Sequence, residues 1–225
     1  MANPSTNPSA NTGIDIDMVS DFVCPWCWLG LRQFRAAKVG GELVHRPFFL
    51  DPLLPPEGRP YRDYMRAKFG EGEAKWRAMR EHLEAEGPRY GIDFRFDTIT
   101  HRPHTRDAHR LQRWATGQDR GEVCADALFK AYFQSGRDIG ETGVLAEVAS
   151  DAGLDGELVR ELLGSDRDSA HVDEEAQFFR RLGISGVPTF IYNGEHVLQG
   201  AQDPEAHQAL ARQIRQAGKQ SRKGG

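Results

Sequence analysis

The chain has 225 residues, 39% of them hydrophobic and 28% charged, with 12 Phe, 5 Tyr and 4 Trp, and this much core material excludes a mainly disordered chain. Its 29 Lys and Arg against 33 Asp and Glu leave a net charge of −4, which excludes the polycation that binding a nucleic-acid backbone calls for. No apolar run approaches the roughly 20 residues of a membrane helix, so neither nucleic acid nor membrane is expected as a partner.

The first 13 residues are rich in Pro, Asn, Ser and Thr and read as a disordered tail. They lack a basic stretch followed by an apolar one, so a secretory signal is not expected and the cytoplasm is the expected compartment. Residues 14–23 (IDIDMVSDFV) alternate and then turn apolar, the pattern of a strand that starts half-exposed and ends buried. The tetrapeptide CPWC follows at once. Leu31, Phe34 and Lys38 lie at helical spacing within residues 29–39, and Gly40 and Gly41 stop the helix. Residues 43–50 form a second strand, closed by Asp51-Pro52. Two strands joined by a helix predict a parallel, right-handed βαβ unit.

From residue 53 to 169 the pattern is helical. Helices are expected over 62–86, with Tyr64, Phe69, Trp76, Met79 and Leu83 as the apolar stripe, and over 105–116, 122–134, 144–152 and 157–163. Another is expected over 168–182. Strands return at 187–192 and 196–198 around Asn193-Gly194, a two-residue hairpin turn. Asp203 caps a last helix with Pro204 at its first position, running to about Gln216, and residues 218–225 read as a basic tail. The order is therefore β-α-β, a helical block, then β-β-α: an α/β unit (14–52 plus 170–217) interrupted by a large all-helical insertion (53–169).

Three cysteines cannot staple a secreted scaffold, and two of them, Cys24 and Cys27, form the CXXC. At the mouth of a helix, unpaired N–H groups and the positive dipole end favour a thiolate at Cys24 by about 1–2 kcal/mol. A larger effect needs direct hydrogen bonds to the sulfur, from backbone N–H or from the Cys27 thiol. Pro25 has no N–H and suits the first helical turn. Cys27, one turn inward, can attack a mixed disulfide on Cys24 or close the oxidised pair. Cys24 is thus the expected attacking thiol and Cys27 the resolving thiol, and the Cys24–Cys27 pair is the redox group, with no other cofactor and no metal expected. Half a zinc site is the competing reading, but it lacks its other ligands: Cys124 sits alone in a predicted helix, and His101 and His104 read as polar loop residues. Cys124 reads as a small core hydrophobe.

Taken together, DFVCPWCWLG (21–30), RPFFLDP (46–52), TRDAHRL (105–111), LFKAYFQSGRDIG (128–140) and GISGVPTFIYNGEHVLQGAQ (183–202) resemble the DsbA family of the thioredoxin-fold superfamily, and within it the cytoplasmic FrnE-like oxidoreductases. The resemblance implies a thioredoxin fold carrying a helical insert. It implies a cis Val187–Pro188 bond beside the active sulfur, with Val187 free to pair with a substrate chain. Trp26 is an expected substrate contact, His104 a further candidate, and Trp28 a core residue. Substrates would be thiol or disulfide proteins or peptides, with glutathione as a candidate co-substrate; either a monomer or a homodimer is compatible. The sequence departs from related redox folds where a buried carboxylate stands six residues before the attacking cysteine, for Met18 occupies that place. Asp21 either substitutes for it or is a strand-end residue bonded to backbone. The alternative function is a glutathione-dependent isomerase or transferase, like 2-hydroxychromene-2-carboxylate isomerase and the kappa-class glutathione transferases. These resemble the same architecture but have serine at the position of Cys24. A third is a partner-binding domain with vestigial cysteines.

Overall fold

In the computed structural model, residues 14–70 and 73–221 are described; the tail expected at 1–13 and the last four residues lie outside them. Asp15–Ser20 forms β1, whose Ile16 and Met18 are fully buried on one face while Val19 is buried on the other. Pro25–Ala37 forms α1, and Glu42–Pro47 forms β2, parallel to β1 with Asp15 opposite Glu42 and Ser20 opposite Pro47. Thr189–Tyr192 (β5) lies antiparallel on the other side of β1, with Met18 opposite Phe190, and His196–Gln199 (β6) closes the sheet in the order β2-β1-β5-β6. The β5–β6 turn has positive φ at both Asn193 (51°) and Gly194 (71°), as its sequence predicts. This is the thioredoxin arrangement of an α/β sheet, as the resemblance implies.

Between β2 and β5 the chain is helical. Tyr61–Phe69 (α2), Glu73–Glu86 (α3), Arg106–Thr116 (α4), Gly121–Phe133 (α5), Thr142–Asp151 (α6), Gly156–Leu163 (α7) and Ser169–Arg181 (α8) follow one another. Two-residue strands, Arg59–Pro60 (β3) and His101–Arg102 (β4), pair antiparallel at the entrance to this block. Pro204–Ser221 (α9) ends the described chain.

The structure corrects several expected boundaries. The single helix at 62–86 is two helices, because Gly70 takes φ 63° and ψ −148° and ends α2. Helix α1 begins at Pro25, the first-turn position expected of that proline, four residues before the apolar spacing at 29–39 starts. Strand β2 stops at Pro47, where the proline removes a ladder donor; Phe48 then donates its N–H to the Ser20 carbonyl. Helix α9 runs through Gly218 to Ser221, so the first part of the expected tail is helical.

One continuous hydrophobic cluster joins the sheet to the helical block: Met18, Trp28, Phe94, Phe129, Phe133, Val159 and Phe190 all belong to it. Trp28, on α1, is its centre. Its ring lies 5.4 Å from Phe94 and 6.2 Å from both Phe129 and Phe133, and its indole N–H donates to Asp126 at 3.3 Å. The helix that carries CPWC is thereby fixed to the insert, and Cys124, fully buried on α5, packs in the same cluster.

Candidate active site

Cys24 is the N-cap of α1, with φ −101° and ψ 110°, and Pro25 begins the helix. Its backbone N–H bonds the Asp21 carbonyl at 3.0 Å, and its own carbonyl accepts from the Cys27 N–H at 3.0 Å. This turn sets the two sulfurs together at the end of the helix where N–H groups are unpaired. Both thiols are free. Cys24 keeps 4% of its surface exposed and Cys27 none, so of the two only Cys24 meets solvent.

The two thiols are driven apart in acidity. The Cys27 thiol donates a hydrogen bond to the Cys24 sulfur, and this bond lowers the Cys24 pKa against the opposing effect of burial. The N–H groups of Cys27 and Trp26 add to it, and the Asp21 charge works against it. Burial pushes Cys27 well above the ordinary thiol value, helped by the same hydrogen bond seen from its donor side. Burial also pushes Cys124 up to about 12.

The Cys24 thiol donates to the Val187 carbonyl at 3.8 Å, and the Val187–Pro188 bond is cis. Gly30 makes that approach possible: a Cβ there would stand 2.9 Å from Pro188 Cγ, so a side chain would push α1 off the loop before β5. Trp26 is half-buried, its ring 5.4 Å from that of the exposed His82 on α3. Cys24, Cys27, Pro25, Trp26, Val187 and Pro188 therefore gather at one place. His104 belongs to another group: its ring packs 5.3 Å from Phe49, and its Nδ1 accepts the Arg106 N–H at 3.2 Å. Burial holds its pKa down.

No motif marks the polar cluster around Asp21. Arg102, 3% exposed, donates to the Val23 carbonyl at 2.9 Å, just before Cys24, and pairs with Asp51. Asp51 also accepts from the Tyr64 hydroxyl at 2.7 Å. Asp21 is 1% exposed, its Oδ2 accepts the Leu50 N–H at 2.8 Å, and His109 Nε2 stands 3.9 Å from its Oδ1. Arg102, Tyr64 and His109 come from β4, α2 and α4, and Asp21 and Asp51 from the segments that follow β1 and β2, far apart in sequence, so no spacing links them. Among the described residues, no group of three or more His, Cys, Asp or Glu side chains is placed to hold a metal ion, and no helix is long and apolar enough to cross a membrane.

The profile of the DSBA-like thioredoxin domain matches residues 15–211. A solved probable DsbA oxidoreductase from Streptomyces coelicolor is 30% identical, with a TM-score of 0.81, covering 89% of each chain. The uncharacterized protein YwbO of Bacillus subtilis (strain 168) is 28% identical over 192 residues, 84% of this chain and 90% of that protein. The fold is also that of the cytosolic disulfide reductase DsbM from Pseudomonas aeruginosa, solved with glutathione: 23% identity, TM-score 0.62, 89% of this chain and 99% of that one.

Proposed function

The chain belongs to the DSBA-like thioredoxin domain family, and on that premise we propose that it exchanges protein or peptide disulfides through Cys24, with Cys27 as the resolving thiol. What carries the proposal is the division of acidity across one hydrogen bond: the accessible sulfur is held toward the thiolate and the enclosed one toward the thiol. The thiolate is the species that attacks, so the sulfur a substrate can reach is the one prepared to do so.

In the reducing direction, Cys24 attacks one sulfur of a substrate disulfide, forming a mixed disulfide and expelling the other sulfur as thiolate. Cys27 then loses its proton and attacks Cys24; the second substrate thiolate leaves, and the Cys24–Cys27 disulfide holds the two electrons' worth of oxidation. Run in reverse, the same steps oxidise a dithiol. Trp26 and the Val187 backbone are the proposed substrate contacts, and His104, packed on Phe49, is a third candidate. Glutathione is the proposed small-thiol partner, a choice supported by its presence in the DsbM structure. A cytoplasmic setting, where the dithiol is kept reduced, fits this reading.

The purified protein is expected to reduce insulin disulfides in the presence of a thiol reductant, or to oxidise a dithiol peptide, and Cys24→Ser is expected to abolish both. Full activity in Cys24→Ser overturns the mechanism. Glutathione conjugation or isomerase turnover without disulfide exchange would favour the glutathione-dependent alternative.

A further inference from the structure

The helical insert holds a cavity that the dithiol does not share. It encloses about 1060 Å³ between α2, α3 and residues 96–100, at the upper end of the roughly 300–1,000 Å³ that small-molecule sites occupy. None of Cys24, Cys27, Trp26, Val187 and Pro188 lines it. Its walls are aromatic: Tyr61 and Phe69 on α2, Trp76 on α3, and Phe96. These rings set one another in place, for that of Trp76 lies 6.1 Å from Tyr61, 6.0 Å from Phe69 and 5.5 Å from Phe96. Phe96 is buried, whereas Tyr61, Phe69 and Trp76 are only half-buried and keep aromatic surface uncovered.

The spacing of α2 builds one wall. Tyr61, Arg62, Met65, Arg66 and Phe69 share a helical face and all line the cavity, whereas Tyr64 turns away to donate its hydroxyl to Asp51 at 2.7 Å. The Tyr61 N–H bonds the Thr100 carbonyl at 2.9 Å, which fixes the start of the helix. Arg80, one turn beyond Trp76 on α3, lies over the Trp76 and Phe96 rings at 5.7 and 5.4 Å and is neutralised by Asp97 at 2.9 Å and Glu84 at 3.1 Å. The other two lining guanidiniums are not neutralised in this way. Arg62 is exposed and makes no ion pair among the described residues, and Arg66 meets Asp63 at 3.9 Å with both side chains largely exposed. The Tyr61 hydroxyl and the Trp76 indole N–H have no hydrogen-bond partner among the described residues. In a chain of net charge −4 this lining carries three arginines against one carboxylate, Asp97, which Arg80 already occupies.

We propose that this cavity binds a small planar aromatic anion, its ring system packed against Tyr61, Phe69 and Trp76 and its charge held by Arg62 and Arg66. The ring system buries apolar surface against the half-covered aromatic walls. The anionic oxygens accept from guanidinium groups, whose planar fork matches carboxylate, sulfonate and phosphate alike. Donors without partners and an excess of positive charge set the sign of the ligand: a cation is repelled, and a neutral ring gains nothing from the two arginines. The same chemistry is presented by an aromatic acid and by a nucleoside monophosphate. The site stands apart from the exchange reaction and does not depend on it.

Isothermal titration calorimetry of the full-length reduced protein tests this with a matched pair, naphthalene-2-sulfonate and its uncharged sulfonamide. The sulfonate should bind one-to-one and about tenfold or more tightly than the sulfonamide. The double variant Arg62→Gln/Arg66→Gln, at two exposed positions, should remove that preference and leave the affinity for the sulfonamide unchanged. Phe69→Ala should weaken both ligands, and Cys24→Ser should weaken neither. Adenosine monophosphate as a competitor tells the two sources apart: displacement of the sulfonate supports the site as one for nucleotides, and no displacement supports it as one for aromatic acids. Equal affinity for sulfonate and sulfonamide in the wild type overturns the proposal whether or not the variants fold. No binding of the sulfonate overturns it too, as does a double variant that binds like the wild type, or loss of binding in Cys24→Ser. Absence of disulfide exchange with sulfonate binding intact overturns the proposed function and leaves this site standing.

Discussion

Cys24 owes its acidity first to one neighbour, the Cys27 thiol, and only then to the helix end. Cys27→Ala removes that donor while leaving burial in place, so the Cys24 pKa should rise, and the midpoint of its alkylation by iodoacetamide against pH should move to higher pH. An unchanged midpoint would assign the effect to the backbone N–H groups alone. Cys124, pushed up to about 12 and fully buried, should stay unlabelled in the native protein, so mass analysis should place a single alkyl group on Cys24 at neutral pH. The placement of this pair was legible in four residues, because proximity in sequence and the start of a helix set its geometry. The Asp21–His109 pair was not: Asp21 had two readings, one of which its bond to the Leu50 N–H satisfies through a single oxygen, and the neighbour of the other oxygen comes from a helix in the insert. His104 shows the reverse, a candidate suggested by resemblance that the fold places against Phe49.

Helices in the insert are held by side chains that reach across to their ends. Arg110, 2% exposed on α4, donates to the carbonyls of Leu162 at 2.8 Å, Ser165 at 2.7 Å and Arg167 at 2.8 Å, and pairs with Asp107. These carbonyls lie at and beyond the C-terminus of α7, where no intrahelical donors remain. Arg110→Met keeps the apolar stem and removes the donor to the Ser165 and Arg167 carbonyls, while Leu162 keeps its bond from the Ser165 hydroxyl, so it should cost about 2–3 kcal/mol in urea unfolding. A loss under about 1 kcal/mol would mean that water serves those carbonyls equally well. At this scale the helices over 105–116 and 122–134 could be read from apolar spacing within a residue or two. The break at Gly70 could not, since the apolar stripe continues from Phe69 to Trp76 across it. The β3–β4 ribbon was invisible because two residues a side carry no periodicity.

The whole molecule is tied together by a core that crosses from sheet to insert, and it buries histidines that must stay neutral. His45 is held down to about 3, His109 to about 4 and His207 to about 4, in each case chiefly by burial. In the unfolded chain each titrates near about 6.5. Below that value the unfolded state takes up protons that the folded state refuses. Stability is therefore full above about pH 6.5 and falls as pH drops toward 4, by up to about 1.4 kcal/mol per pH unit for each histidine. The melting temperature should decline steadily from pH 7 to about 4.5; a flat profile there would show that these rings are protonated in the fold. The β-α-β and β-β-α segments were legible as separate runs, whereas the sharing of one core between them, centred on Trp28, follows only from how the insert folds back over α1. Disulfide exchange requires that Cys24 capture a substrate sulfur while Cys27 waits to displace it. Mass spectrometry of the Cys27→Ala protein mixed with a disulfide-bonded peptide measures this directly. A stable adduct of one half-peptide on Cys24 is the predicted result; no adduct, or one on Cys124, would contradict it.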